Sequence, residues 1–109
     1  MTDIDNSRIE IRDDAEETAY LVLVDGSAVG RAEYTTFENR RVFTHTEVDD
    51  AYSGKGLANR LVRFALDDMR QRGISIVPLC PFFAAYIRRH PEYDDLVDHA
   101  LTTQLKKRR

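Results

Sequence analysis

Ser53-Gly54-Lys55-Gly56-Leu57-Ala58 is the stretch of this 109-residue chain whose residue types and spacing best suit chemistry. It leads straight into a run in which Leu57, Ala58, Leu61, Val62, Ala65, Leu66 and Met69 recur at steps of three and four. That spacing puts them on one helix face and leaves Arg60, Arg63, Asp67 and Arg70 toward water. Gly73 supplies the stop, with Arg70 and Arg72 in the last turn, where cations suit the dipole. A helix start leaves backbone N–H groups without partners and is attractive to anions. Gly54 and Gly56 carry no Cβ, so a phosphate can come close to the backbone. Lys55 adds a positive charge, and the first helical turn carries no Asp or Glu. The stretch reads as a seat for a diphosphate.

Two familiar phosphate loops do not fit. A Walker loop needs a glycine at position 49, which is Asp49, and a Ser or Thr after the lysine, where Gly56 stands. The dinucleotide fingerprint needs a third glycine at position 59, which is Asn59. What remains resembles motif A of the GNAT superfamily of acetyltransferases, Arg/Gln-x-x-Gly-x-Gly/Ala. Gly56 and Ala58 match its last two fixed positions, and Ser53 departs from its first. The other reading of the loop alone is an ordinary glycine-rich turn before a core helix.

Alternating and dense apolar patterns mark the elements that must position this loop. Arg8 to Arg12 reads as a strand, Ala19 to Val24 as a central strand, and Asp25-Gly26 as a two-residue hairpin. Ser27 to Phe37 returns, with Gly30 at a close approach or bulge. Glu38-Asn39-Arg40 turns the chain into a fourth strand, Val42 to Val48. Strict alternation puts Val42, Thr44, Thr46 and Val48 on one side of it, and Phe43, His45 and Glu47 on the other. Ile74 to Leu79 is a fifth strand, parallel to the fourth through a right-handed crossover, and Pro78 ends or splays that pairing. Pro81 to His90 is a second helix stopped by Pro91. Residues 1–6 read as frayed, Glu92 to Leu105 as acidic and partly helical, and Lys106 to Arg109 as a basic tail.

The order β-β-β-β-α-β-α is that of an α+β protein with a mixed, mostly antiparallel sheet, and it widens the resemblance to a GNAT fold over roughly residues 8–91. His45-Thr46 before the loop, and Pro78-Leu79-Cys80 before an aromatic helix, look like the small single-domain YjdJ-like GNAT proteins. The resemblance implies acetyl-CoA as cosubstrate. Its pyrophosphate would lie on the loop Ser53, Gly54, Lys55, Gly56, Leu57, Ala58 and Asn59. Its pantetheine arm would lie against strand four near Thr46 and Val48, with Phe83 as a wall. For Phe82, Phe83 and Tyr86 the other reading is ordinary core packing.

Within that frame two residues are candidate catalysts. Histidine is the side-chain type suited to proton transfer near neutral pH, so His45 could take the proton of an attacking amine; the alternative is a structural strand histidine. Cys80 stands beside the expected thioester at a helix start and could accept the acetyl group; the alternatives are direct attack by the amine and a plain buried thiol. Tyr86 is a further candidate acid. Glu47, Asp49, Asp50 and the acidic run Glu92, Asp94, Asp95 and Asp98 would favour a cationic acceptor such as a protein lysine or a polyamine.

Composition bounds these readings. One domain over residues 1–109 is expected. A formal net charge of −3 argues against a general nucleic-acid binder. One cysteine excludes an internal disulfide and argues against a thiolate metal site. The start of the chain has no basic patch followed by an apolar run, so no membrane association and a cytoplasmic location are expected, as a monomer or weak dimer. The competing functional reading is a module that holds CoA without catalysis, or a small protein-interaction domain.

Overall fold

The computed structural model describes residues 4–107. Expectations for residues 1–3 and for Arg108 and Arg109 lie outside the described residues. Five strands form one sheet in sequence order: β1 (Ile9–Asp14), β2 (Ala19–Val24), β3 (Ser27–Phe37), β4 (Arg40–Val48) and β5 (Ile76–Pro78). The first four pair antiparallel and β4 pairs with β5 in parallel. Between these two runs α1 (Leu57–Arg72), and after β5 come α2 (Pro81–Arg89), a 3-10 segment (Pro91–Leu96) and α3 (His99–Lys107).

Asp25 and Gly26, at φ +51° and +84°, make the first tight hairpin turn. Glu38 and Asn39 adopt the same left-handed backbone, and Arg40 belongs to β4, paired with Phe37, rather than to the turn. β5 is shorter than expected. Just past Pro78 the Leu79 N–H turns back onto the Val77 carbonyl at 3.1 Å, and the chain leaves the sheet.

The inner face of the sheet carries the main core. Tyr20, Val22, Ala32 and Phe43 from the strands meet Leu57, Leu61, Ala65, Leu66 and Met69 of α1 and Phe83, Tyr86 and Ile87 of α2. The apolar stripe read from the sequence is therefore the buried face of α1, and Arg60, Arg63, Asp67 and Arg70 are exposed. On the outer face, α3 sets Leu101 against Val42 and Val77. Lys106 and Lys107 close this helix instead of forming a loose tail. Residues 4–6 are also tied down: Ile4 packs on the core, and Asp5 caps a 3-10 turn by accepting from the Ser7 N–H at 3.0 Å.

Two irregularities decide which side chains face which way. Gly30 sits beside a bulge in β3, and a Cβ there would lie 2.8 Å from Val22 Cγ1 and 2.9 Å from Val48 Cγ2. A second bulge leaves Thr44 of β4 unpaired between Phe43, opposite Tyr34, and His45, opposite Glu33. One extra residue shifts the alternation by one, so the expected division of β4 is corrected. Phe43, Thr46 and Val48 look inward, whereas Val42, His45 and Glu47 look outward.

Candidate functional site

The site lies where β4 outruns β5. On that side of β4 the Cys80 N–H donates to the Phe43 carbonyl at 2.9 Å. β5 ends at Pro78, opposite Phe43, so no described strand pairs with this edge of β4 from Thr44 to Val48. The cause is the sequence at Pro78-Leu79-Cys80-Pro81: proline cannot extend the ladder, and a second proline at the first position of α2 starts a helix instead.

Thr46 and Cys80 come together at the floor of this gap, with Thr46 Oγ1 and Cys80 Sγ 3.3 Å apart. Cys80 is buried, at 3% exposure, and is the N-cap residue of α2. Val48 packs on the core two residues further along β4. Phe83 is fully buried and stacked on Phe43, ring centres 4.2 Å apart, within the core.

His45 is not brought to Cys80. It stands on the outer face, half exposed, with Nε2 3.0 Å from Glu47 Oε1 and Glu33 across the ladder. His45 and Glu47 share a face, as their two-residue spacing predicts, but it is the outer face and not the one that Phe43 occupies.

After β4, Asp50 to Tyr52 make a short 3-10 turn and the loop Ser53 to Gly56 enters α1. Gly54 and Gly56 both have φ +77°, a conformation L side chains rarely adopt. A Cβ built on either would meet nothing within 4 Å, so the space in front of them is open. Gly56 is the N-cap of α1, and no side chain caps that end; no acid lies in the first turn. Leu57 is buried by its side chain, which leaves its backbone at the helix opening. Ser53, Gly54, Gly56 and Asn59 are exposed, and Lys55 and Ala58 half-buried. Two left-handed glycines with open space beside them thus lead into a helix start that no side chain caps.

Tyr86 is buried and stacked on His90, and burial pushes its hydroxyl pKa up. It lines a ≈ 380 Å³ surface cavity with Asn6, Asn59, Arg60 and Arg63, on the α1 side of α2.

Residues 8–96 match the sequence pattern of the family described as GCN5-related N-acetyl-transferase. This chain belongs to that family. It is 26% identical over 85 residues to Protein NATD1 of Gallus gallus, covering 76% of this chain and 77% of that protein. It is 36% identical over 47 residues to Protein NATD1 of Mus musculus, covering 43% of each, and matches Protein NATD1 of Homo sapiens over the same length. The mixed sheet with one parallel pair at β4 and β5 is the α+β architecture of a GCN5-related domain. Among the described residues no helix is long and apolar enough to cross a membrane, and no group of three His, Cys, Asp or Glu could hold a metal ion.

Proposed function

We propose that this protein is a cytoplasmic N-acetyltransferase that moves an acetyl group from acetyl-CoA to an amine carried by a cationic acceptor, a protein lysine or a polyamine. The observation that carries the reading is the uncapped start of α1. It follows two left-handed glycines with open space before them and lies one short loop from a strand edge that has lost its partner. Family membership supports the reaction class.

Acetyl-CoA supplies the thioester carbon that the amine attacks and departs as a thiolate. Backbone donors of Gly54 to Ala58, with Lys55, hold the diphosphate. The open edge of β4 at Thr46 to Val48 pairs with the amide-bearing arm much as a strand would. A backbone N–H of β4 donates to the thioester oxygen as it gains charge. His45 takes the proton from the amine on the outer face, and Glu47, bonded to its Nε2, orients the ring.

Thr46 next to Cys80 favours a second route, in which the Cys80 sulfur accepts the acetyl group and the amine then attacks the acyl-cysteine. Turnover of Cys80→Ala with saturating acetyl-CoA separates the routes: near-normal turnover excludes an obligatory acyl-cysteine. Thiol release across a panel of amines and lysine peptides tests the whole reading. Release above background with at least one amine is expected; tight CoA binding with no release would instead make the protein a CoA-holding module.

A further inference from the structure

The sheet has two outer edges, and among the described residues the chain covers only one of them. At β5, Ile76 bridges to Val97 in parallel, and the Asp98 N–H donates to the Ile76 carbonyl at 2.9 Å. At the other edge no described strand pairs with the far side of β1. An open edge is a template for a further strand, and proteins commonly blunt it with a proline, a lysine or a bulge. β1 has none of these. It contains no proline, glycine or lysine. Its register with β2 runs unbroken from Ile9 opposite Val24 to Asp14 opposite Ala19, whereas the β2–β3 and β3–β4 pairings both shift. Asp13, whose charge could repel an incoming strand, is engaged within the fold, where its carboxylate accepts from Arg41 and Tyr34.

One bond sets which backbone groups are free. The Asp25 N–H donates to the Arg8 carbonyl at 2.9 Å, so by alternation Arg8, Glu10 and Arg12 turn their backbone groups toward β2. Ile9, Ile11 and Asp13 turn theirs toward the open edge. On the inner side of that edge Ile11 shares a cleft with Phe64 of α1. Phe64 is 40% exposed, and among the described residues only Phe37 is a comparably open large apolar side chain. On the outer side Glu10 and Arg12, opposite Leu23 and Leu21, are about half exposed.

We propose that this edge is the docking surface for a second copy of the chain, with β1 antiparallel to its twin about a two-fold axis at Ile11. Charge selects this occupant, because the order Glu10-Ile11-Arg12 is complementary to its own reverse. Ile11 of each copy exchanges both backbone bonds with Ile11 of the other, and Ile9 does so with Asp13 of the partner subunit. Glu10 then falls opposite Arg12 of the partner subunit, twice by symmetry, in the closer pairing where side chains interact most. The two Ile11–Phe64 clefts meet on the inner face, and the contact is isologous and closed. β4 and its gap lie three strands away, so each copy keeps its own candidate site open. The proposal is independent of the acetyl-CoA reading.

Sedimentation equilibrium of the full chain over a dilution series tests this. A reversible dimer of twice the 12.6 kDa chain mass is expected. Glu10→Arg and Arg12→Glu each set like charges across the axis twice, and each alone is expected to raise the dissociation constant by at least about tenfold. Mixed in equal amounts, the two variants are expected to pair as the wild type does, because every contact is then opposite in sign. Both positions are exposed, and a thermal melt verifies that the variants fold. A single-chain mass at every concentration overturns the proposal and leaves the edge to a different partner. A dimer that neither variant weakens, or weakened variants that do not pair on mixing, overturns it as well.

Discussion

β4 has two ends, and they are built on opposite rules. At the Arg41 end side chains from several elements pair with one another. Arg41 donates to Asp13 at 2.9 Å and to the Tyr20 hydroxyl at 3.0 Å, and its guanidinium lies 3.9 Å from the centre of the Tyr34 ring. Tyr34 donates to Asp13, Tyr20 to Asp68, and Arg72 bridges Asp13 and Asp68. Burial and then the bond to Asp13 push the Tyr34 hydroxyl up to about 12, so it stays a donor at neutral pH. At the Thr46 end the ladder stops, a bulge interrupts the strand, and the helix that follows begins without a side-chain cap. The first end ties β1, β2, β3, β4 and α1 together. The second leaves backbone groups available to a ligand. Stability and function are thus separated along a single strand, and substitutions at the two ends should fail in different assays.

The largest effect is expected from Asp13→Ala. Asp13 and Arg41 are only 12% and 13% exposed in their side chains, and removing the carboxylate strands Arg41 and the Tyr34 hydroxyl together. Stability to urea should fall by about 2–3 kcal/mol, because a mostly buried charge loses its partner. CoA affinity measured well below the melting temperature should stay at the wild-type value; a large loss there would mean that the two ends are coupled. Gly30→Ala is next. Its Cβ would press on Val22, Val48 and, at 3.0 Å, the Glu47 carbonyl. A cost of about 1–3 kcal/mol is expected from overpacking, read by the same denaturation. This site borders the functional end, so some loss of CoA affinity should accompany it.

Gly56→Ala should reverse the pattern. The new Cβ meets no neighbour, and only the left-handed backbone resists it, at about 1–2 kcal/mol. It projects into the space in front of α1, and CoA affinity should fall by at least about tenfold in calorimetry. Unchanged affinity would remove the distinction between the two ends.

The smallest effect belongs to the start of α3, which an ion pair ties to Arg40 on the outer side of the first end. The Leu101 N–H, and then Arg40, hold the Asp98 carboxyl below its usual range. A depressed folded-state pKa means that its stabilisation is complete above the ordinary carboxylate value of about 3.9 and is lost as pH falls through the lower folded value. Asp98→Asn should therefore melt below the wild type at pH 6, and the gap should close on acidification beneath about pH 4.

Most of the fold was legible because hydrophobic spacing is local. The stripe from Leu57 to Met69, the Asp25-Gly26 hairpin and the splay after Pro78 each follow from a few neighbouring residues. The bulge at Thr44 was not legible. Nothing in Val42 to Val48 departs from alternation, and the extra residue is fixed by pairing with β3. That single insertion moved Phe43 and Thr46 to the same face and sent His45 away from Cys80. The cavity beside Arg63 was equally hidden, since it needs α2 and Asn6, both distant in sequence, to form its walls. The diphosphate loop could be read directly because its residues are consecutive.

The central claim is that the amides opening α1 hold the diphosphate of CoA. Backbone ¹⁵N–¹H spectra recorded during a CoA titration test it most directly. The account predicts saturable shifts largest at Gly54 to Ala58, weakened by Gly56→Ala. Saturable CoA binding with those amides unmoved, or no binding at all, would contradict it.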